Sequence, residues 1–528
     1  MKIIKKCPVC NKTAEIDHET KVAGLVITHY LCGHVRTAKE LKPKDLSLKS
    51  SDNKTPYNFQ LEGASWAIKG NARVLIADEM GLGKTIQSLL VAHSDPLEYV
   101  PLLAIVKASL KVQWQKEALR WAGWLFQIIE SEDDYLLTNV NGYIIAYDTL
   151  AYSEFKNKRG KLVTRGMKDA SSWIKKINPR LIILDECQSI KNTEAKRTKA
   201  VQMISRDVPH LIALSGTPIL NNAAEYFPVL NMIQPEKFPN KAAYIQRWCD
   251  SYFSMKGGVQ KVGGIRDIKG FKAFTEDFVI RRTRAEVLPD LPTIDRRFRF
   301  EELGEKVEEA YIKLFEEFKQ FYFNGSNGQS NFQRDGNILA YLSKMRHLTG
   351  IAKIPGVVDF IQEFIETTDR KIVVFTHHID VAREVVQRLN TLFPSNVVYV
   401  PSPVDPTLIE KFREENSRIL IGNTLSLGEG HNLQCCSDFI LMEREWNPPK
   451  EEQAEGRFPR PGQTSDKITG TYFTAVGTVD EFFAELVEQK RAIVSSVLDG
   501  KELKWNESAL ITELAEVLAM KGGKRWNL

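Results

Sequence analysis

Cysteine is scarce, with seven in 528 residues. That is too few for a disulfide scaffold, and a reducing interior is the expectation. Long apolar runs are missing as well. No stretch approaches the ~18 consecutive apolar residues of a membrane-spanning helix, so no membrane partner is expected. Nor is a secretory leader expected: Met1-Lys2-Ile3-Ile4-Lys5-Lys6 is basic but leads into Cys7 instead of an apolar core. A cytoplasmic monomer is the working expectation. Excess charge is small, 72 Lys and Arg against 67 Asp and Glu, a formal +5. Any basic surface must then be local, and the balance permits a nucleic-acid partner without arguing for one. Hydrophobic residues at 43% and charged residues at 26% are ordinary for a globular chain. The length suits two to four domains at roughly 100–200 residues each.

The chain is organised around Val74-Leu75-Ile76-Ala77-Asp78-Glu79-Met80-Gly81-Leu82-Gly83-Lys84-Thr85. A short apolar run leads into a glycine turn, and Lys-Thr then opens a helix-compatible segment. This is the strand–loop–helix layout of a phosphate-binding loop. Gly81 and Gly83 let backbone N–H groups approach phosphate oxygens, and the helix adds its positive end. Lys84 would reach the β- and γ-phosphates, and the Thr85 hydroxyl would ligate magnesium. The strict pattern asks for glycine five residues before Gly83, where Asp78 stands.

From Pro56 to about Asn222 apolar runs alternate with amphipathic segments. Expected strands are Val74–Ala77, Leu102–Val106, Tyr143–Tyr147, Leu181–Leu184 and Leu211–Leu214, with a helix over Lys111–Trp121. A second alternating block has expected strands Lys371–Thr376, Asn396–Val400, Arg418–Gly422, Asp438–Met442 and Ile468–Phe473. Such alternation implies βαβ units and mostly parallel sheets. The expected organisation is a module over 1–45, a first lobe over 56–225 and a mostly helical region over 226–345. A second lobe follows over 346–500 and a basic tail over 501–528. Residues 39–54 read as a linker, 301–323 as one amphipathic helix, and 324–337 as a loop rich in Gly, Ser, Asn and Gln.

Near the start, Cys7-Pro8-Val9-Cys10 is followed by Cys32-Gly33-His34. A CxxC knuckle and a CxH supply four soft or borderline ligands, enough for a closed tetrahedral zinc site. His29 or His18 could substitute as the fourth ligand. About 45 residues form little core alone, so a structural zinc would supply stability. Such a module could also dock a partner protein.

Leu181-Ile182-Ile183-Leu184-Asp185-Glu186-Cys187-Gln188 is an apolar run ending in two acids. After a phosphate loop in the same lobe, Asp185 suits a magnesium ligand and Glu186 the base that polarises the attacking water. Ser215-Gly216-Thr217-Pro218 places two hydroxyls on a turn after another strand. In the second lobe, Arg457 and Arg460 stand three apart and would share a helix face. They read either as an exposed basic face or as arginines brought to a γ-phosphate.

In chain order, Gln60, Asp78 to Thr85, Asp185 to Gln188, Ser215 to Pro218, Gly428-Glu429-Gly430-His431-Asn432-Leu433, Trp446-Asn447-Pro448 and Gln453 through Gln463 resemble the Swi/Snf-type branch of helicase superfamily two. Phe278-Val279-Ile280-Arg281-Arg282-Thr283, followed by Leu291-Pro292, also matches that branch. Ile354-Pro355 and Lys371 through His378 resemble its annealing-helicase-like members. The resemblance spans about residues 56–500. It implies an α/β fold of two tandem RecA-like lobes with ATP in the cleft between them. It implies a DNA-stimulated ATPase that tracks along double-stranded or forked DNA. By position, Gln60 would contact adenine, and Arg457 and Arg460 would be arginine fingers. Lys107, Asp148, Thr149, Thr376, Gly428 and Asn432 would hold the DNA backbone.

Three positions depart from the pattern. Gln188 stands where the branch has histidine, at the residue that couples ATP to DNA. Phe458-Pro459 lies between the arginines, and proline inside a helix suggests a turn there. Pro401-Ser402-Pro403-Val404-Asp405 is shorter than its glycine-containing counterpart. Chromatin-reading and nuclease modules are absent from this sequence, which suits a minimal member of the branch. Two other functions use the same residues: an engine that displaces protein from DNA, and a DNA-binding scaffold without catalysis. The joint presence of Lys84, Asp185, Glu186, Arg457 and Arg460 weighs against the scaffold.

Overall fold

The computed structural model describes residues 4–6, 13–22, 25–30, 35–39, 46–156, 162–216, 223–253, 260–324, 331–402, 404–428, 432–445, 448–485 and 487–488. The chain divides into two compact units, Met1–Val287 and Leu288–Leu528. The first unit begins with an antiparallel four-stranded sheet in simple sequence order: β1 (Ile4–Lys6), β2 (Thr13–Val22), β3 (Leu25–Tyr30) and β4 (Val35–Lys39). His18 and His29 are paired across β2 and β3. Cys7, Cys10, Cys32 and His34 lie outside the described residues.

The stretch expected as a linker is partly structural. Leu46 and Leu48 are buried in the core of the first lobe. Ser51 N–H donates to Arg120 O at 2.8 Å, and the Arg120 guanidinium grips Asp52 with two hydrogen bonds of 3.0 and 2.8 Å. Two leucines among polar residues are a weak sequence signal, yet burying them contributes ~1.5–3 kcal/mol each.

The first lobe is built on β5 (Arg73–Ile76), β6 (Leu102–Val106), β7 (Phe126–Ile129), β8 (Gly142–Ala146), β11 (Leu181–Asp185), β12 (His210–Leu214) and β15 (Val279–Ile280). β9 (Ser153–Lys156) with β10 (Leu162–Arg165), and β13 (Cys249–Phe253) with β14 (Gln260–Ile265), form separate antiparallel pairs. The main sheet has seven strands in the order β15-β5-β12-β11-β6-β8-β7, all parallel. Its central strands are apolar along most of their length, as strands covered on both faces are; every residue of β6, β8 and β12 is buried. The helix Lys111–Ala122 shows how a crossover is coded. Trp114, Ala118 and Trp121 recur at helical spacing and are buried. Gly123, at φ +67°, then closes the helix with its N–H on Leu119 O at 3.0 Å.

The second unit carries β16 (Ile294–Glu301), β17 (Ile372–Thr376), β18 (Val397–Val400), β19 (Ile419–Asn423), β20 (Asp438–Leu441) and β21 (Ile468–Ala475). They form a parallel six-stranded sheet ordered β16-β21-β20-β17-β19-β18. Two helices, Glu305–Asn324 and Asn331–Ala352, pack through Tyr311, Phe315, Phe318, Ile338, Leu342 and Met345.

One expectation needs completing and one correcting. Alongside its helices, the stretch after residue 225 contains β13 to β16. β15 is two residues long and β16 has an exposed run, Arg296-Arg297-Phe298-Arg299-Phe300, so neither shows the alternation of a half-buried strand. Residues 331–337, expected in a loop, open a helix. Among the described residues no helix is long and apolar enough to cross a membrane.

Candidate functional site

Parallel sheets gather functional residues at the carboxyl ends of their strands. In the first lobe the predicted residues fall there: the phosphate loop after β5, Lys107 after β6, Asp148 and Thr149 after β8, Asp185 and Glu186 at the end of β11, and Ser215 after β12. Gly81 and Gly83 have φ of +93° and +71°, a backbone that only glycine adopts without strain. The helix Lys84–Ser94 starts directly behind them. Gln60, buried on the helix Asn58–Lys69, caps that helix by accepting from Tyr57 N–H at 3.0 Å and donates its amide to Leu82 O at 3.1 Å. It therefore ties its own helix to the loop. Lys84 Nζ is turned onto the loop's own carbonyls, Asp78 O at 2.9 Å and Glu79 O at 3.3 Å. Burial pushes its ammonium below the ordinary lysine value, against the pull of Glu186, Asp78 and Asp185.

The acids are held by groups that sequence reasoning missed. Trp114 Nε1–H donates to Asp185 Oδ2 at 2.8 Å, and the Tyr147 hydroxyl donates to Asp185 O at 2.9 Å. Glu186 sits in the left-handed region at φ +49°, a conformation that costs a non-glycine residue about 1 kcal/mol or more. From its carboxylate a hydrogen-bond chain runs through the unusual residue at 188. Gln188 Nε2 donates to Glu186 Oε2 at 2.5 Å, and Ser215 Oγ donates to Gln188 Oε1 at 2.7 Å. An amide has both a donor and an acceptor end, so glutamine joins the acid to the Ser215 turn without any protonation change. Thr217 and Pro218 lie outside the described residues.

Burial and the neighbouring Glu186 push the Asp185 carboxyl up to about 6, against the Trp114 hydrogen bond and Lys84. Adjacent carboxylates, one driven to keep its proton, are a donor set that a divalent cation satisfies. Asp185, assigned to magnesium from the sequence, thus has the chemistry for that role. The sign of the pH effect follows. The folded value lies above the unfolded 3.8, so the native state holds the proton longer. Unfolding free energy then falls as pH rises from about 4 to about 6 and is flat above. Asp185→Asn keeps that site neutral. Without nucleotide or magnesium, its stability relative to wild type should be near zero at pH 4 and rise to a plateau of about 1–3 kcal/mol above pH 6. Denaturant melts across that range test this, and a difference independent of pH would refute it.

Asp78, where the loop pattern has glycine, is fully buried. Its cation is Arg282: Nε lies 3.1 Å from Oδ1 and an Nη 2.5 Å from Oδ2. Gln87 Nε2 donates to the same carboxylate at 2.9 Å, and the Arg282 guanidinium also reaches Phe59 O. Gly63 makes room for the cluster, since a Cβ there would lie 2.1 Å from Gln87 Oε1 and 2.6 Å from an Arg282 Nη. Glu79 is held in the same way by Arg284, with 2.7 Å to its backbone N–H and 2.6 Å to Nε. Arg281 donates to Ala77 O at 3.0 Å and Gly216 O at 3.3 Å. The segment beginning at Phe278 thus straps the phosphate loop. A carboxylate at a glycine position was the available signal that a distant cation answers it.

In the second lobe the predicted arginines follow the helix Pro448–Glu455 on a turn, as Pro459 requires. Arg457 is buried and its Nε donates to Gly428 O at 2.8 Å. Arg460 donates to Gly456 O at 3.0 Å and to the Asn432 side chain. Arg457, Arg460, Gly428 and Asn432 are therefore one cluster. Residues 429–431 lie outside the described residues. Thr376 is buried, its hydroxyl on Gly422 O at 3.3 Å and its carbonyl accepting from the Thr424 hydroxyl at 3.1 Å. In this form it supports the turn after β19. Asp148 is exposed and pairs with Arg197 at 3.4 Å. Among the described residues no group of three or more His, Cys, Asp or Glu is arranged to hold a metal ion.

The SNF2-related domain family matches residues 59–350, and the helicase conserved C-terminal domain matches residues 356–462. A curated relative from Bos taurus, "DNA annealing helicase and endonuclease ZRANB3", is 27% identical over 460 residues, 84% of this chain and 41% of that protein. "SWI/SNF-related matrix-associated actin-dependent regulator of chromatin subfamily A-like protein 1" from Xenopus laevis is 28% identical over 466 residues, 85% of this chain and 45% of that protein. The chain thus spans less than half the length of these relatives. A solved structure, "Sulfolobus solfataricus SWI2/SNF2 ATPase core in complex with dsDNA", aligns over 91% of this chain and 98% of that chain, at 22% identity and a TM-score of 0.39.

Proposed function

The chain belongs to the SNF2-related family and is an ATP-hydrolysing, helicase-like enzyme, and from that premise we propose that it is a motor that translocates along double-stranded DNA and remodels DNA structure, by fork remodelling or strand annealing, without separating strands as a conventional helicase does. The observation that carries this is the chain Glu186–Gln188–Ser215. It links the residue that would activate water to the turn after the next strand, a route by which nucleotide state is passed beyond the site. The names of the relatives, annealing helicases among them, support DNA structure as the target. Lys84 and Thr85 would hold the ATP phosphates and magnesium, Asp185 would complete the magnesium site, and Gln60 would read adenine. Arg457 and Arg460 would stabilise charge on the γ-phosphate, leaving Gly428 and Asn432 when they do so. Lys107, Asp148, Thr149, Thr376, Gly428 and Asn432 would act on the DNA backbone. Grip through phosphates predicts little sequence preference and strong salt sensitivity. Cys7, Cys10, Cys32 and His34 would hold a structural zinc.

The test is ATP hydrolysis by the purified chain alone and with duplex, single-stranded or forked DNA, or RNA. Duplex DNA should raise the rate about tenfold or more, and the stimulation should fall steeply between 50 and 200 mM salt. A fork preference would favour the annealing activity. A rate unchanged by every nucleic acid would overturn the proposal.

A further inference from the structure

Two adjacent thiols in the second lobe take no part in the ATP chemistry. Cys435 and Cys436 lie in the turn before β20, with their Sγ atoms 3.7 Å apart. Cys435 is exposed and Cys436 is buried directly behind it. The other described free cysteines, Cys187 and Cys249, are both buried. The turn is pinned at both ends: Cys436 N–H donates to Leu433 O at 3.0 Å, and Gln463 Nε2 donates to Cys436 O at 2.8 Å. Its neighbourhood is cationic. Arg413 donates to Asn432 O through two N–H groups, at 3.0 and 2.7 Å. Lys371 Nζ donates to Arg413 O at 3.2 Å and Glu415 O at 3.0 Å.

We propose that Cys435 and Cys436 form a peroxide-reactive dithiol, an oxidative modification site on the second lobe. The placement divides the roles. Cys435 faces solvent, where an oxidant arrives, and Cys436 stands behind it as the resolving thiol. The charges agree with this division. The Cys436 hydrogen bond, with Arg413 and Lys371, lowers Cys435 to about 7, whereas burial keeps Cys436 protonated.

The chemistry balances with hydrogen peroxide as the oxidant. The Cys435 thiolate attacks one peroxide oxygen, the O–O bond breaks, and a sulfenic acid and hydroxide result. The Cys436 sulfur then attacks the sulfenic sulfur. An S–S bond forms, the S–O bond breaks, and the hydroxyl leaves as water with the Cys436 proton. The hydroxide takes up the proton that Cys435 had already released. Two thiols lose two electrons in all, and peroxide becomes two waters. Closing the sulfurs from 3.7 Å to a bonded pair requires the peptide between these consecutive residues to turn. That turn begins beside Asn432, which holds Arg413 through its carbonyl and Arg460 through its side chain. Oxidation should therefore displace the contact that positions Arg460. This last consequence rests on the function proposed above.

The residues from Ile419 to Arg444 contain no internal Lys or Arg and just these two cysteines, so trypsin delivers the pair in one peptide. The full chain is treated with a small excess of hydrogen peroxide and mapped by mass spectrometry. The peptide should lose two hydrogens, resist alkylation and recover with dithiothreitol, while Cys187 and Cys249 stay reduced. Before oxidation Cys435 should alkylate at least about tenfold faster than either of them. In Cys436→Ser a sulfenic acid should persist on Cys435 and be trapped by dimedone. The proposal falls if Cys435 alkylates no faster than Cys187, or if peroxide carries it straight to sulfinic acid with Cys436 still free. The oxidised sample should also lose several-fold in duplex-stimulated ATP hydrolysis and regain it with dithiothreitol. A chain whose peptide oxidises as stated but which never hydrolyses ATP would count against the motor and not against the dithiol.

Discussion

Glu186→Gln is expected to lower the ATP hydrolysis rate by roughly 10²–10⁴-fold, the usual contribution of a positioned general base, while nucleotide and DNA binding persist. The substitution is nearly isosteric. Glutamine retains an oxygen to accept from Gln188 Nε2, now 2.5 Å from Glu186 Oε2, so the connection to Ser215 survives. Only the capacity to take a proton from water is removed. Its left-handed backbone at φ +49° is no better or worse for glutamine than for glutamate, so folding should be unaffected. Single-turnover hydrolysis of radiolabelled ATP, beside equilibrium binding of a fluorescent nucleotide, separates the steps. Retained DNA-stimulated turnover would remove Glu186 from the role of base. Loss of binding together with turnover would mean that the residue shapes the loop instead.

The residues of this site were legible where chemistry is local. A glycine turn between an apolar run and Lys-Thr needs no distant partner to be recognised, and parallel strands bring their carboxyl ends together wherever the helices between them lie. Asp185, Glu186 and Lys84 could therefore be grouped from sequence, and the structure groups them. Most strands of both sheets were legible for the same reason, since strands covered on both faces are written as continuous apolar runs; the edge strand β7 was not. What was not legible is long-range and polar. Nothing near Asp78 names Arg282, 204 residues away, and nothing near Asp185 names Trp114, 71 residues before it. β15 was missed because two residues carry no periodicity. β16 was missed because Arg296 to Arg299 read as a charged surface. Gln188 could be recognised as a departure, but only its two bonds, one to Glu186 and one from Ser215, show that the amide joins the acid to the turn after β12.

Arg282→Ala should be the most damaging substitution outside the catalytic residues. Asp78 is fully buried, and its charge is answered by the Arg282 guanidinium through Nε and an Nη, by the Arg282 backbone N–H at 3.1 Å and by the Gln87 amide. Removing one partner of a buried pair leaves the other uncompensated, at about 3–5 kcal/mol. The loss is directed at the phosphate loop, because Leu75, Ala77 and Glu79 N–H groups bond to Phe278, Ile280 and Arg282 carbonyls at 2.8, 2.7 and 2.9 Å. Hydrogen exchange of those three amides should speed up by about two to nearly four orders of magnitude, the equivalent of that energy when opening and closing are fast relative to exchange. The KM for ATP should rise more than kcat falls, since Arg282 also holds Phe59 O beside Gln60. Arg282→Lys should rescue little, because an ammonium cannot reach both carboxylate oxygens and a carbonyl with the geometry of the guanidinium fork. Asp78→Gly restores the glycine of the common loop pattern and should recover most of the lost protection when combined with Arg282→Ala, giving a coupling energy of about 1–3 kcal/mol in the double-mutant cycle. Additive losses would mean that the pair is not coupled and that the strap holds the loop through its backbone bonds alone.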